Sequence, residues 1–238
     1  MRKTFTLQLF LLLSIASYAQ VTQAWVQRCL TSLNENPVSI KTDGSGNVYV
    51  LGVLNDQTFQ ENFMLVKYNS GGIMQWMQSY NGAANRSDRP AALVVDASGN
   101  AYVTGTSGLA FANSTTSEIV TIKYNTAGVQ QWIAKFFRAD TLPSESHAIA
   151  VDDAGNVYIT GSTIVAPLAY DYITIKYDAA GNEQWVTTYN GTANSVDISK
   201  FIAVDAAGNV YITGQSIGLI SRFLFNRLTG YDYVTIKY

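Results

Sequence analysis

The stretch Val204–Gly214, VDAAGNVYITG, decides the fold, because three near copies precede it: VDDAGNVYITG from Val151, VDASGNAYVTG from Val95 and a looser KTDGSGNVYVLG from Lys41. Aligned on their aspartates, Asp43, Asp96, Asp152 and Asp205 stand 53, 56 and 53 residues apart. Each is followed three positions later by a glycine and then an asparagine. An aspartate opening a type I turn accepts backbone N–H groups, and a glycine at the fourth position takes positive φ without a Cβ clash. The phrase therefore reads as strand, tight turn, strand.

A second phrase keeps step with the first: VKYNSGGIMQW, IKYNTAGVQQW and IKYDAAGNEQW, in which Asn69, Asn125 and Asp178 precede Gly72, Gly128 and Gly181 by three residues. Trp76, Trp132 and Trp185 each follow a tyrosine by eight residues. This is another hairpin of the same build. Between the turns, runs such as Tyr172–Tyr177 (YITIKY) alternate in character and are rich in β-branched and aromatic residues. Each unit thus holds four short strands, typified by AIAVD (a), NVYITG (b), DYITIKY (c) and EQWVTTY (d). Four antiparallel strands repeated in tandem every 53 residues or so predict an all-β chain of four propeller blades.

At these residues the chain resembles the bacterial β-propeller repeat family called SBBP, whose units carry D-x-x-G-N-x-Y-[VI]-T-G, D-Y-x-T-x-K-Y and G-x-x-x-W. The resemblance runs over residues 24–238 and is sharpest in units two to four; unit one has Leu51 where the others have threonine, and NFMLVKY in place of Asp-Tyr. It implies a secreted or cell-surface protein and brings no catalytic residues to carry over.

A d-type stretch, AWVQRCL around Trp25, comes before the first complete unit, and the sequence reaches Tyr238 on a c-type strand. This arithmetic predicts a ring closed by the N-terminal d strand pairing with the C-terminal c strand, which covers an otherwise open edge. The competing readings are an open arc, a homo-oligomer completing a larger ring, and a truncated larger propeller.

The first residues set Arg2 and Lys3 before a short apolar run and small residues at Ser17 and Ala19, the pattern of a secretory signal over 1–19, with one propeller domain over 20–238. The apolar run is too short to span a bilayer. Export places the mature chain outside the cell, in the periplasm or on the cell surface. Without Arg2 and Lys3 the chain has 13 basic and 17 acidic residues and no basic cluster, which argues against nucleic acid as a partner. The single cysteine, Cys29, allows no intrachain disulfide, so stability rests on a core.

The a–b and c–d turns keep one length, whereas the b–c and d–a connections vary, and variable loops on a rigid scaffold are where binding concentrates. The candidate ligand face on those connections comprises Arg86, Asp88, Arg89, Arg138, Asp140, His147 and Asp197. Arg222, Phe223, Phe225 and Arg227 join it from the long connection SIGLISRFLFNRLTG, whose apolar groups are expected to cover the ring seam or a partner. His147 is the sole histidine, so no His-rich metal site can form, and a Ser–His–Asp triad would rest on Ser144 or Ser146, too near it in sequence to be convincing. The repeated aspartates read as turn caps and the repeated Lys67, Lys123, Lys176 and Lys237 as structural; no cofactor or metal is expected. The expected function is a non-catalytic module binding an unidentified protein or glycan. The alternative is a glycan-active hydrolase or lyase in which loop carboxylates such as Asp88 and Asp197 serve as acid and base.

Overall fold

The computed structural model describes residues 22–28, 35–55, 60–108, 116–137, 143–165, 169–222 and 225–238, with backbone alone over 220–229. The signal segment, Cys29, Arg138, Asp140 and Phe223 lie outside the described residues.

Fifteen strands and no helix are found among the described residues, in four antiparallel sheets. The first blade is β1 (Glu35–Thr42), β2 (Val48–Asn55), β3 (Glu61–Tyr68) and β4 (Met74–Tyr80). The second is β5 (Asp88–Val95), β6 (Ala101–Gly108), β7 (Ser117–Tyr124) and β8 (Gln130–Phe136). The third is β9 (Ser144–Val151), β10 (Val157–Val165), β11 (Ala169–Tyr177) and β12 (Glu183–Tyr189). The fourth sheet has three strands, β13 (Asp197–Val204), β14 (Val210–Arg222) and β15 (Phe225–Lys237). In every sheet sequential strands are neighbours, as the a-b-c-d reading requires.

The repeated turns have the expected chemistry. In each a–b turn the glycine N–H donates to the aspartate carbonyl, as Gly155 does to Asp152 at 3.0 Å, and the glycine φ is near +80° (82° at Gly155). Asp152 Oδ1 accepts the N–H groups of Ala154 and Asn156, while Oδ2 accepts from the Asn156 amide and the Tyr158 hydroxyl. Asp43, Asp96 and Asp205 repeat the set. Burial alone would raise these carboxyl groups, but the hydrogen bonds to the ionised form outweigh it and hold Asp43, Asp96 and Asp152 below the ordinary value. A carboxylate depressed in the folded chain contributes stability that is fully present above its unfolded value of about 3.9 and is lost as pH falls through the folded value. The urea midpoint is therefore expected to fall steeply below about pH 4, and the Asp152→Asn variant to show a shallower fall over the same range.

Across each sheet the b-strand tyrosine, c-strand lysine and d-strand tryptophan stand directly opposite one another, as in Tyr102, Lys123 and Trp132. The lysine ammonium sits over the tyrosine ring, at 4.9 Å for Lys67 on Tyr49 and 5.1 Å for Lys123 on Tyr102. The structural reading of the four lysines thus gains a specific partner. The tryptophan reaches forward: Trp132 Nε1 donates to the Ala179 carbonyl in the next blade's c–d turn, and its ring lies where a Cβ on Gly181 would stand. Trp76 does the same over Thr126 and Gly128. Apolar cores fill each junction, for example Tyr102, Ile119, Val157, Ile159, Ile173 and Ile175 between blades two and three.

The a–b pairs carry a bulge at one repeated place. β10 pairs Thr160 with Ala148 but Gly161 with Ser146, leaving His147 as the extra residue. The other blades skip Val38, Ala91 and Lys200. Here the neighbouring carbonyl comes so close that a methyl at Gly161 would overlap the oxygen of Glu145.

The sheets are not closed into a ring, and the expected closing pair is not formed. Residues 22–28 belong to no strand, and Trp25 lies on the first blade, with Nε1 donating to the Ser70 carbonyl at 3.2 Å. The ends of the arc confirm the gap: Ile40 on β1 is 64% exposed, whereas Leu93, at the same place on β5, is 3% exposed against blade one. The long connection before Tyr231 also differs from a loop flap. It is a continuation of the β14–β15 ladder, with Leu219 paired to Leu228 and Arg222 to Phe225. Its β-branched and aromatic residues favour an extended hairpin.

Candidate functional site

The d–a connections are built, not loose. After β4 and β12 the sequence repeats as NGAANRSD and NGTANSVD. Asp88 Oδ2 accepts the Gly82 N–H at 2.6 Å and Asp197 Oδ2 accepts the Gly191 N–H at 2.7 Å. Asn85 and Asn194 take positive φ, 50° and 45°, and each donates its N–H to the carbonyl of the loop glycine. Their side-chain oxygens accept from Asn81 and Asn190 at 2.7 Å.

This fixes what the two aspartates can do. Both are fully buried, 0% exposed, each tied to its own loop in a different blade, so they do not converge on a channel mouth as an acid–base pair would have to. Burial pushes the Asp88 carboxyl above its ordinary range. Their role in the sequence reading was misjudged because a carboxylate that folds a loop and one that faces solvent look alike in a string of residues.

His147 is likewise committed to the fold. As the bulge residue of β9 it is turned toward the next blade, where Nδ1 lies 2.7 Å from the Ser199 carbonyl of β13. A carbonyl only accepts, so the proton is on Nδ1. Burial, with Lys200 nearby, lowers the imidazole's pKa, and the ring is held neutral.

Arg86 and Arg89 have a different setting. With Gln60, Glu145 and Tyr170, and the hydroxyl-bearing Ser87, Thr106 and Ser117, they line a cavity of about 580 Å³ spanning blades one to three on the variable-loop end. Arg89 Nε pairs with Glu61 Oε2 at 2.5 Å, which raises the guanidinium further, whereas no hydrogen bond or ion pair holds Arg86 among the described residues. Both arginines and Glu145 are exposed. Gln60 and Tyr170 escaped the sequence reading; Gln60 stands just before β3 and Tyr170 near the start of β11, and neither carries a charge to draw attention. Arg222, Phe225 and Arg227 stand on the β14–β15 hairpin of blade four, and the described residues lining this cavity belong to blades one to three.

At the opposite end, clefts of about 630 and 470 Å³ run between successive a–b turns, one at Asp96 and Asp152, the next at Asp152 and Asp205. They recur with the blades because they are the space between repeated turns. The 580 Å³ cavity has a lining found once, which makes it the better candidate for a specific ligand. No group of three or more His, Cys, Asp or Glu side chains able to hold a metal occurs among the described residues.

Two stretches are similar to the SBBP family: its model, described as a beta-propeller repeat, matches residues 76–108 and 144–169. The matched stretches contain the phrases ending at Gly105 and Gly161, with the turn, the b strand and the bulge glycine. No curated protein matches the chain.

Proposed function

We propose that this is an exported, non-catalytic propeller module that binds a ligand on its variable-loop end, with a glycan as the first candidate and a surface protein as the second. The observation that carries the reading is the cavity at Arg86 and Tyr170: its volume lies in the range of ligand sites, and it combines an aromatic ring, an amide, hydroxyl groups and a guanidinium that no described residue pairs. Sugars are held by that combination of a flat apolar face and converging hydrogen-bond donors. Catalysis is the weaker reading, because among the described residues Glu145 is the one carboxylate lining the cavity, and Asp88 and Asp197 are occupied in loop closure.

The test is a microarray of neutral and acidic oligosaccharides, with a panel of bacterial surface proteins beside it, probed with the wild type and with Arg86→Ala and Tyr170→Ala. Each substitution is expected to weaken binding about tenfold, the worth of one charge-assisted hydrogen bond or one aromatic contact. Retained binding in both variants would move the site elsewhere. Turnover of an arrayed glycan by the wild type would replace the binding reading with the enzymatic one.

A further inference from the structure

The cross-strand row of tyrosine, lysine and tryptophan is complete in three sheets: Lys67 faces Trp76, Lys123 faces Trp132 and Lys176 faces Trp185. In the fourth sheet Tyr211 faces Lys237, and among the described residues nothing faces Lys237 from the other side. The chemistry of that edge follows from the ladder. Val210 and Tyr238 exchange both backbone hydrogen bonds. By antiparallel alternation Ile236 and Val234 also turn their peptide groups toward β14, and Lys237, Thr235, Tyr233 and Tyr231 turn theirs outward. Tyr233 is 87% exposed, whereas Tyr172, at the same place on β11, is 1% exposed.

At the other end of the arc Trp25 stands on blade one, and no described strand lies behind it. Trp25 donates to the Ser70 carbonyl, lies over Gly72 and has its ring centroid 6.3 Å from that of Tyr68. Trp76 makes the same three contacts with Thr126, Gly128 and Tyr124, and Trp132 with Ala179, Gly181 and Tyr177. Trp25 thus fills the place of a d-strand tryptophan belonging to a blade before β1, although residues 22–28 pair with no strand. Among the described residues, one end of the arc offers a d-like segment without a sheet, and the other a sheet without a d strand.

We propose that β15 of one copy takes residues 22–28 of a second copy as its fourth strand, antiparallel, with Trp25 opposite Lys237. The register of β11 and β12 then sets Val26 against Ile236 and Gln27 against Thr235. The same docking seats blade one of one copy on blade four of the other, covering Ile40 and Tyr233. A second copy is the occupant, not the chain's own arm, because Trp25 is already seated on blade one while no described strand pairs with the outer edge of β15 and Tyr233 there is 87% exposed. The contact is head to tail, and two copies joined at both ends make eight blades, within the range that propellers close.

Sedimentation velocity on the full chain over a hundredfold range of concentration tests this. A concentration-dependent dimer is expected. Tyr233→Pro removes an outward N–H without touching the β14 ladder, so it is expected to weaken association about tenfold or more with an unchanged circular-dichroism spectrum and melting point of the monomer. Trp25→Ala is expected to weaken association as well. Mixing the two variants restores one intact junction, since the first keeps its arm and the second its edge, and a heterodimer should reappear. A monomer at every concentration overturns the proposal, whether the arm pairs within its own chain or the edge stays bare; so does association that neither variant alters.

Discussion

Gly161→Ala is expected to lower the melting temperature by roughly 6–12 °C, the shift that about 3 kcal/mol produces in a chain of this size. The new methyl has no free space: it would overlap the carbonyl oxygen of Glu145 and press on the Cα of Ser146, both backbone, which cannot swing aside as a side chain can. The Gly161 carbonyl also accepts the Ser199 hydroxyl at 2.6 Å, so a backbone shift there disturbs the junction with blade four. Gly208→Ala is the control. Its φ of 82° makes alanine uncomfortable, but nothing stands within 4 Å of the added atom, and the cost is the conformational one of about 1 kcal/mol. Differential scanning calorimetry of the two variants separates them; equal shifts would mean that the bulge relaxes and that close approach is not what selects glycine there.

The second large effect is expected from Trp132→Ala, a loss of about 3 kcal/mol measured by urea denaturation. The indole touches four groups at once: the Ala179 carbonyl, the face of Gly181 and the rings of Tyr102 and Tyr177, with centroids at 6.1 and 6.4 Å. It is half-buried, which keeps the expectation toward the low end of tryptophan truncations. Trp132→Phe should recover part of the loss by restoring the ring without the N–H. A Trp132→Ala chain as stable as the wild type would show that the apolar core beneath carries the junction alone.

Within one blade the sequence was nearly transparent, because Asp152, Gly155 and Asn156 act on one another inside a single turn and their chemistry is local. Between blades it was opaque. The eight-residue spacing of Tyr124 and Trp132 is visible in the string, but the partner of Trp132 is Ala179, 47 residues away, and no periodicity says which face of a sheet meets which. Gly161 recurs in every unit, yet the carbonyl that excludes a side chain there comes from the bulged strand beside it. The closing strand failed for the same reason: the sequence supplied a d-like segment at Trp25, and geometry assigned its tryptophan to blade one, while no described strand pairs with the outer edge of β15. On the loop end, Arg86 and Arg89 were legible as exposed charge, whereas Asp88 and Asp197 were hidden by their own loops.

The forward reach of the tryptophans has a consequence for how such a chain can lengthen. A stretch of about 53 residues carries both a protruding indole and the glycine-lined seat that receives one. Duplicating or deleting that stretch leaves every remaining indole facing a matching seat, with no new contact to be invented at the join. Genes coding for this architecture can therefore change blade number by unequal recombination and yield a foldable product at once, while the variable loops at the other end diverge independently of that traffic.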